Sequence, residues 1–276
     1  MTGVQTCALP IFDFAGGTVV HANAGAAALA VILVIGKRKG WPKERMRPHN
    51  VPFVLLGTGL LWFGWFGFNA GSALGANTLS AFAFVNTNTA TGAALLAWMV
   101  TEKIRDGHAT TLGAASGAVA GLVAITPACG FVSPMGSILI GIAAGVVCAL
   151  AVGLKNKFGY DDALDVVGVH LVGGILGALS IGLLATKMTN SAGSNGVFYK
   201  GGWTLMGHQA VAVLAVVAYS FIVTYILAQI LDKTIGLRVS EDDESVGLDL
   251  SQHAETAYET TSYSDGSRFT SNFAKQ

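Results

Sequence analysis

Long blocks of apolar residues alternate with short polar segments along this chain, a pattern that fits neither amphipathic helices nor half-buried strands. The first block, 14–35, contains no Lys, Arg, Asp or Glu. At about 1.5 Å per residue it forms roughly 33 Å of helix, enough to cross a hydrocarbon core of about 30 Å. Six further blocks follow at 51–74, 79–101, 112–131, 135–154, 164–186 and 207–231. The pattern predicts an all-α polytopic membrane protein with about seven transmembrane helices.

The composition supports this class: 52% of residues are hydrophobic, 12% are charged, and 36 are glycine. Many glycines recur four residues apart, a spacing that lets membrane helices pack closely. These are Gly67/Gly71, Gly113/Gly117/Gly121, Gly141/Gly145 and Gly173/Gly177. In the fourth block, Thr126-Pro127 is predicted to break the helix near its end.

The positive charges are distributed unevenly between alternate loops. Segments 36–50, 102–111 and 155–163 carry 6, 2 and 2 Lys or Arg, and the tail from residue 232 carries 4. The intervening loops 75–78, 132–134 and 187–206 carry 0, 0 and 2. Because cytoplasmic loops are enriched in Lys and Arg, the chain is predicted to begin on the outer side of the membrane and to end on the cytoplasmic side.

Two histidines occupy matching positions inside apolar blocks. His21 lies in V-V-H-A-N-A-G and His170 in G-V-H-L-V-G-G, each with an aspartate upstream. An ionisable residue within a membrane helix is costly and therefore indicates function, although a bond to a neighbouring helix is the alternative. A neutral imidazole both donates and accepts a hydrogen bond. Two of them could pass on a proton or hold a small, nearly neutral permeant.

Asp13 and Asp165 lie near helix N-termini, where they could cap the helix or position the nearby histidine. Trp65, Phe68 and Ser72 lie near the end of the second block. Such aromatic residues commonly form an interfacial belt. Phe68 and Ser72 are four residues apart and share a helix face, so they could instead form a hydrophobic gate below a polar vestibule.

Enzymatic functions find no support in the sequence. It contains no His-Glu-x-x-His, Gly-x-Ser-x-Gly, P-loop or paired intramembrane aspartates. The three cysteines show no C-x-x-C pattern, so no metal site or disulfide framework is predicted. We predict no cofactor and no nucleic-acid partner. His49, His108, His208 and His253 lie in loops, span ends or the tail and are interpreted as background.

Several motifs resemble those of the Amt/Mep/Rh ammonium transporters, and of their bacterial Amt branch in particular. In chain order they are D-F-A-G-G-T-V-V-H, W-F-G-F-N-A-G-S, A-F-V-N-T, T-P-A-C-G, D-V-V-G-V-H-L-V-G-G-I-L-G and G-L-D-L-S-Q-H, and they span about 13–258. The resemblance implies an eleven-helix fold of two inverted five-helix repeats plus a final helix. It also implies a homotrimer with one pore per subunit.

The resemblance also implies roles for individual residues. His21 and His170 look like twin pore histidines that separate ammonium into ammonia and a proton. Phe68 looks like one of two gate phenylalanines, and Ser72 like the serine of an ammonium-recruitment site. Asp13 is similar to a structural aspartate near that vestibule, and Trp65 to a tryptophan beside the pore. Asp165, upstream of the second histidine, is predicted from its position to support the pore as well.

The resemblance divides the chain into three parts. Residues 1–12 do not fit the family and are interpreted as a sequencing artefact. Residues 13–231 form a partial ammonium transporter membrane domain that lacks the first four helices. Residues 232–276 form a cytosolic regulatory tail, similar to one that binds a PII signalling protein, with a disordered end. We therefore expect a truncated chain that does not form a sealed pore by itself; uptake of the analogue methylammonium would contradict this.

The sequence is compatible with three functions. The resemblance favours ammonium transport across the cytoplasmic membrane. An ammonium sensor is the second; only about 40 mostly polar residues follow the last span, which is short for a signalling domain. A non-conducting remnant is the third.

Overall fold

Ten α-helices and two short π-helical segments make up most of the part of the chain that the structure describes. The structure is a computed structural model, and it describes residues 12–44 and 46–256. The helices are α1 Asn23–Ile35, α2 Val51–Gly71, α3 Thr78–Asp106, α4 Thr111–Ile125, α5 Pro134–Ala151, α6 Leu154–Phe158, α7 Val172–Leu184, α8 Thr204–Thr234, α9 Glu241–Val246 and α10 Leu248–His253. The π-helical segments, Gly17–Ala22 and Val167–Leu171, run directly into α1 and α7.

Each of the seven predicted spans coincides with a helix. Five helical segments are long and apolar enough to cross a membrane: Gly17–Ile35, Val51–Gly71, Pro134–Phe158, Val167–Leu184 and Thr204–Thr234. The helix α3 is longer than a span, but it carries several polar residues on its buried side. The helix α4 has only 15 residues and ends at Ile125, directly before the predicted break at Thr126-Pro127. These features confirm an all-helical, multi-pass membrane protein.

Small residues bring α3, α4 and α5 close together. A Cβ added to Gly117 or Gly121 of α4 would collide with α3, and one added to Gly141 or Gly145 of α5 would collide with the same helix. The predicted packing function of these glycines is therefore confirmed. Gly67 of α2 is different, because a Cβ there meets no other described residue within 4 Å.

Buried amides hold the irregular segments of the bundle. The Asn86 side chain of α3 donates to the carbonyls of Cys129 and Val132, at 2.7 and 2.8 Å, and so fixes the turns that follow α4. Gln209 of α8 accepts from the Phe12 amide and donates to the Phe12 carbonyl, both at 2.8 Å. The Phe12 ring stacks on Phe131, with ring centroids 4.7 Å apart. Phe12 therefore belongs to the packed core of the membrane unit.

Two regions separate by their internal contacts, one ending at Leu237 and one beginning at Arg238. The second contains α9 and α10, and the Ser240 side chain caps α9 by accepting from the Asp243 amide at 3.1 Å. The predicted artefactual leader comprises residues 1–12, and of these only Phe12 lies within the described residues. The prediction of a disordered end concerns residues beyond 256 and also lies outside them.

Candidate functional site

The two predicted histidines contact each other inside the bundle. His21 Nδ1 lies 3.3 Å from His170 Nδ1, and the ring centroids are 5.3 Å apart. His21 is only 4% exposed, whereas His170 is partly buried. The sequence predicted matching positions for these residues, and the structure brings them into direct contact.

Each histidine lies in a π-helical turn, and the two turns have the same construction. The Asn23 amide bonds to the Thr18 carbonyl, and the Val172 amide bonds to the Val167 carbonyl, in both cases five residues back. Such single π-helical turns within α-helices are frequent at functional sites. The repetition supports an internal repeat whose two copies meet at the histidine pair.

Two glycines allow the histidine helices to approach closely. Gly25 follows His21 by four residues, and a Cβ there would collide with the backbone of Leu171. Gly174 follows His170 by four residues, and a Cβ there would collide with the backbone at Ala22. Each helix thus uses a glycine at the same position to contact the other beside its histidine.

A partly buried carboxylate precedes the first π-helical turn. Asp13 accepts from the Thr18 amide at 3.0 and 3.1 Å and from the Val19 amide at 3.2 Å. Burial raises the pKa of the Asp13 carboxyl above its ordinary value, while these hydrogen bonds act in the opposite direction. The predicted cap on the first histidine helix is therefore present.

The second turn begins at a different aspartate from the one predicted. Asp162, not Asp165, accepts from the amides of Val166 and Val167, at 3.0 and 2.8 Å. Asp165 has a positive φ of 58° and pairs with Lys155 at 2.6 Å instead. Asp13 and Asp162 each precede their histidine by eight residues. That equal spacing was the sequence signal for Asp162, and the assignment of the capping position to Asp165 is corrected.

Aromatic side chains of α2 cover His21. The Trp65 ring stacks on it with centroids 5.2 Å apart and an interplanar angle of 22°. Phe68 meets the same imidazole edge-on at 6.2 Å and is 37% exposed. Ser72 lies one turn beyond Phe68, and its hydroxyl donates to the Phe68 carbonyl at 2.8 Å. The structure therefore brings Trp65 and Phe68 to the histidines and places Ser72 at the end of the same helix.

Thr126 is a site residue that sequence reasoning missed. Its buried hydroxyl lies 3.3 Å from His21 Nε2 and accepts from Trp65 Nε1 at 2.9 Å. The residue directly follows α4 and precedes Pro127, where the sequence predicted only a helix break. The motif T-P-A-C-G contains this threonine, but nothing in it indicated contacts to residues 61 and 105 positions away.

A cleft of about 620 Å³ extends from His170 to two of the basic loops. Its lining includes Thr58 and Ser116 from α2 and α4, and Lys155 and Asp165 beside the second π-helical turn. Arg38 and Arg47 from the segment after α1 also line it. The histidine pair is thus shielded by aromatic rings at His21 and borders, at His170, a cleft that contains polar and charged side chains.

The fold and this site define a multi-pass helical membrane protein with a histidine pair shielded inside its bundle. Residues 2–258 match the sequence profile of the Ammonium Transporter Family. The chain is 57% identical over 256 residues to an ammonium transporter of Mycobacterium tuberculosis, covering 91% of this chain and 54% of that protein. The chain belongs to the ammonium transporter family, as its motifs predicted.

Solved structures agree with this assignment. The crystal structure of Candida albicans Mep2 superimposes with a TM-score of 0.78 at 39% identity, covering 84% of this chain and 53% of that one. A structure named Sensor Amt Protein superimposes with a TM-score of 0.80 at 31% identity, covering 88% of this chain and 60% of that one. The chain spans about half the length of the Mycobacterium relative it matches. The predictions of the fold and of a non-enzymatic protein are confirmed.

Proposed function

We propose that this chain forms the histidine-lined part of a pore that conducts ammonium across the cytoplasmic membrane. The observation that carries the proposal is the 3.3 Å contact between His21 and His170 beneath Trp65 and Phe68. Membership of the ammonium transporter family supports the choice of substrate.

The chemistry follows from the surroundings of the pair. An ammonium ion that enters an apolar, water-poor channel loses hydration, and a permanent charge there is costly. Separation into ammonia and a proton removes that cost, since ammonia crosses as a neutral molecule. Adjacent imidazoles that each donate and accept hydrogen bonds provide a route for the proton.

The surrounding residues are proposed to assist at defined points. Phe68 gates the approach to His21, and Ser72 recruits ammonium one helical turn earlier. Trp65 holds the His21 ring by stacking, and Asp13 holds the backbone from which that ring projects. Asp165, paired with Lys155, supports the cleft beside His170. The contacts described above support these roles, and substitution tests each of them.

Uptake of labelled methylammonium tests the transport proposal. The chain replaces the matching residues of the Mycobacterium relative, and the chimera is expressed in cells that lack ammonium transporters. We expect uptake by the chimera and a loss of at least about tenfold in His170→Ala, because the proton route is interrupted. His108→Ala is the control, since His108 is exposed in the α3–α4 loop. Uptake unchanged in His170→Ala would refute the role of the histidine pair in conduction, whereas no uptake by the chimera itself would favour sensing or a non-conducting function.

The proposed assembly is a homotrimer with its C-terminal tail in the cytoplasm, where a PII signalling protein binds. The enrichment of Lys and Arg in alternate loops supports this orientation. Green fluorescent protein fused after residue 256 should fluoresce, and alkaline phosphatase at the same point should be inactive. The opposite result would reverse the orientation. Cross-linking and pull-down with purified PII protein test the trimer and the partner.

A further inference from the structure

The Thr126 hydroxyl has one proton and three polar neighbours. It donates to the Leu122 carbonyl at 2.7 Å, and a carbonyl can only accept. The Trp65 indole donates to it at 2.9 Å, and an indole N–H can only donate. The directions of these two bonds follow from chemistry alone. They leave the Thr126 oxygen with a lone pair and no proton to offer.

The third neighbour, His21 Nε2, is constrained by this arrangement. It lies 3.3 Å from the Thr126 oxygen, so a hydrogen bond between them requires the proton to be on Nε2. In a neutral pair each ring carries one N–H, which leaves His21 Nδ1 bare. His170 Nδ1, 3.3 Å away, must then be the donor to it. His170 Nε2 is left bare on the ring that borders the polar cleft.

We propose that Thr126 is a positioning residue that fixes the tautomers of both histidines, with His21 protonated at Nε2 and His170 protonated at Nδ1. The side chain acts through His21, and its effect reaches His170 through the contact between the two Nδ1 atoms. The inference concerns the direction of proton transfer and rests on the transport function proposed above.

The fixed tautomers are those left by one proton transfer from His21 to His170. In that step, a proton binds to bare His21 Nε2, and the His21 Nδ1 proton moves to His170 Nδ1. The proton on His170 Nε2 leaves toward the cleft, so one proton enters the pair and one leaves. Before the step can be repeated, the proton of each ring must return to the other ring nitrogen: from Nε2 to Nδ1 in His21 and from Nδ1 to Nε2 in His170. Thr126 therefore stabilises the tautomers that are present after the transfer, and the return to the earlier tautomers is a separate step.

Nitrogen-15 NMR of the full chain in lipid bilayers, with labelled histidine, tests the assignment. The chemical shift separates protonated from bare ring nitrogens, and a His21→Gln variant identifies the His21 signals. We expect the Nε2–H form of His21 to exceed the Nδ1–H form by roughly tenfold, since the alternative breaks one buried hydrogen bond. A wild-type His21 protonated mainly at Nδ1 overturns the proposal without any threonine variant.

Three variants separate positioning from packing. Thr126→Val keeps the shape and removes the hydroxyl, so the tautomer ratio should fall toward one, whereas Thr126→Ser should restore it. Thr91→Val is the matched control, because this fully buried threonine also donates to a carbonyl one turn back, at 2.6 Å, within α3. An unchanged ratio in Thr126→Val overturns the proposal. The measurement involves no transport, so failed methylammonium uptake would refute the transport function without affecting the tautomer assignment.

Discussion

Single carboxylates hold the backbone from which each histidine projects. Asp13 and Asp162 stand eight residues before His21 and His170 and accept from the first amides of the π-helical turns. Those amides lack partners within the helix, and a charged acceptor satisfies them more strongly than a neutral one. The geometry of the histidine pair therefore depends on two residues that do not touch either ring by any described hydrogen bond.

Replacing Asp162 should cost more stability than replacing Asp165. Asp162→Asn weakens two charge-assisted bonds at the start of the second π-helical turn, which we expect to cost about 1–2 kcal/mol. Asp165→Asn removes only a partly exposed ion pair with Lys155, for which about 0.5 kcal/mol is expected. Thermal unfolding in detergent measures both. A larger loss in Asp165→Asn would contradict the assigned cap.

The sequence predicts the site residues that occur in repeated motifs, and it misses those that come together only in the folded structure. His21 and His170 were found because an ionisable side chain is rare in an apolar block. Asp165 is the aspartate nearer to His170 along the chain, so proximity predicts a cap there, but its positive φ turns the chain and its carboxylate pairs with Lys155. Thr126 belongs to the motif T-P-A-C-G, but its role in the site was missed, since threonine is common in apolar helices and its contacts come from two distant segments.

Whole helices pack through stripes of small side chains. The helix α3 packs against both α4 and α5, and glycines of both neighbours contact its Ala90 and Ala94. Its Thr87 and Thr91 are fully buried, and their hydroxyls donate to carbonyls one turn earlier. The length of the apolar block predicted where α3 lies along the chain. The burial of its polar residues depends on the packing of α4 and α5 against it, which a hydropathy pattern does not predict.

Matched glycine substitutions test this packing. Gly121→Ala places a Cβ against Ala94 and the backbone of Ala90 and Thr91, so overpacking should lower stability by about 1–3 kcal/mol. Gly67→Ala gains the same helix propensity without such a collision and should be neutral or stabilising by up to about 1 kcal/mol. Thermal unfolding of the two variants in detergent gives the comparison. Equal midpoints would show that α3 and α4 are not held by this contact.

At the scale of the whole membrane unit, an ion pair joins the segment after the first histidine helix to the segment before the second. Arg38, just after α1, donates to Asp161 through its Nε and Nη2 atoms at 2.8 and 2.7 Å and through its amide at 2.8 Å. The Asp161 side chain is 1% exposed and that of Arg38 is 39% exposed. The hydrogen bonds from Arg38 lower the pKa of Asp161 below its ordinary value.

This ion pair should make stability depend on pH in a defined direction. Because the pKa of Asp161 is lower in the folded state, its contribution is complete above the unfolded value of about 4 and is lost as the pH falls below it. We expect Asp161→Asn to lower stability by about 1–2 kcal/mol at pH 7 and by less below pH 4.

Unfolding midpoints of the wild type and Asp161→Asn, measured from pH 7 to pH 3, provide the test. Asp106→Asn is the control, because Asp106 pairs with Arg105 where both side chains are about 40% exposed. Its effect should be small throughout. A difference between wild type and Asp161→Asn that grows as the pH falls would contradict the assignment.

The π-helical turns make the two histidine segments sensitive to sequence length. A bond that reaches five residues back encloses one residue more than an α-helical bond, so each turn behaves as a one-residue insertion. Deleting a residue from either turn would rotate everything before it by about 100° relative to the helix that follows. One histidine would then face away from the other although every side chain type was kept. Within these segments, the deletion of one residue should therefore disturb the histidine pair more than a substitution that keeps the size of the side chain.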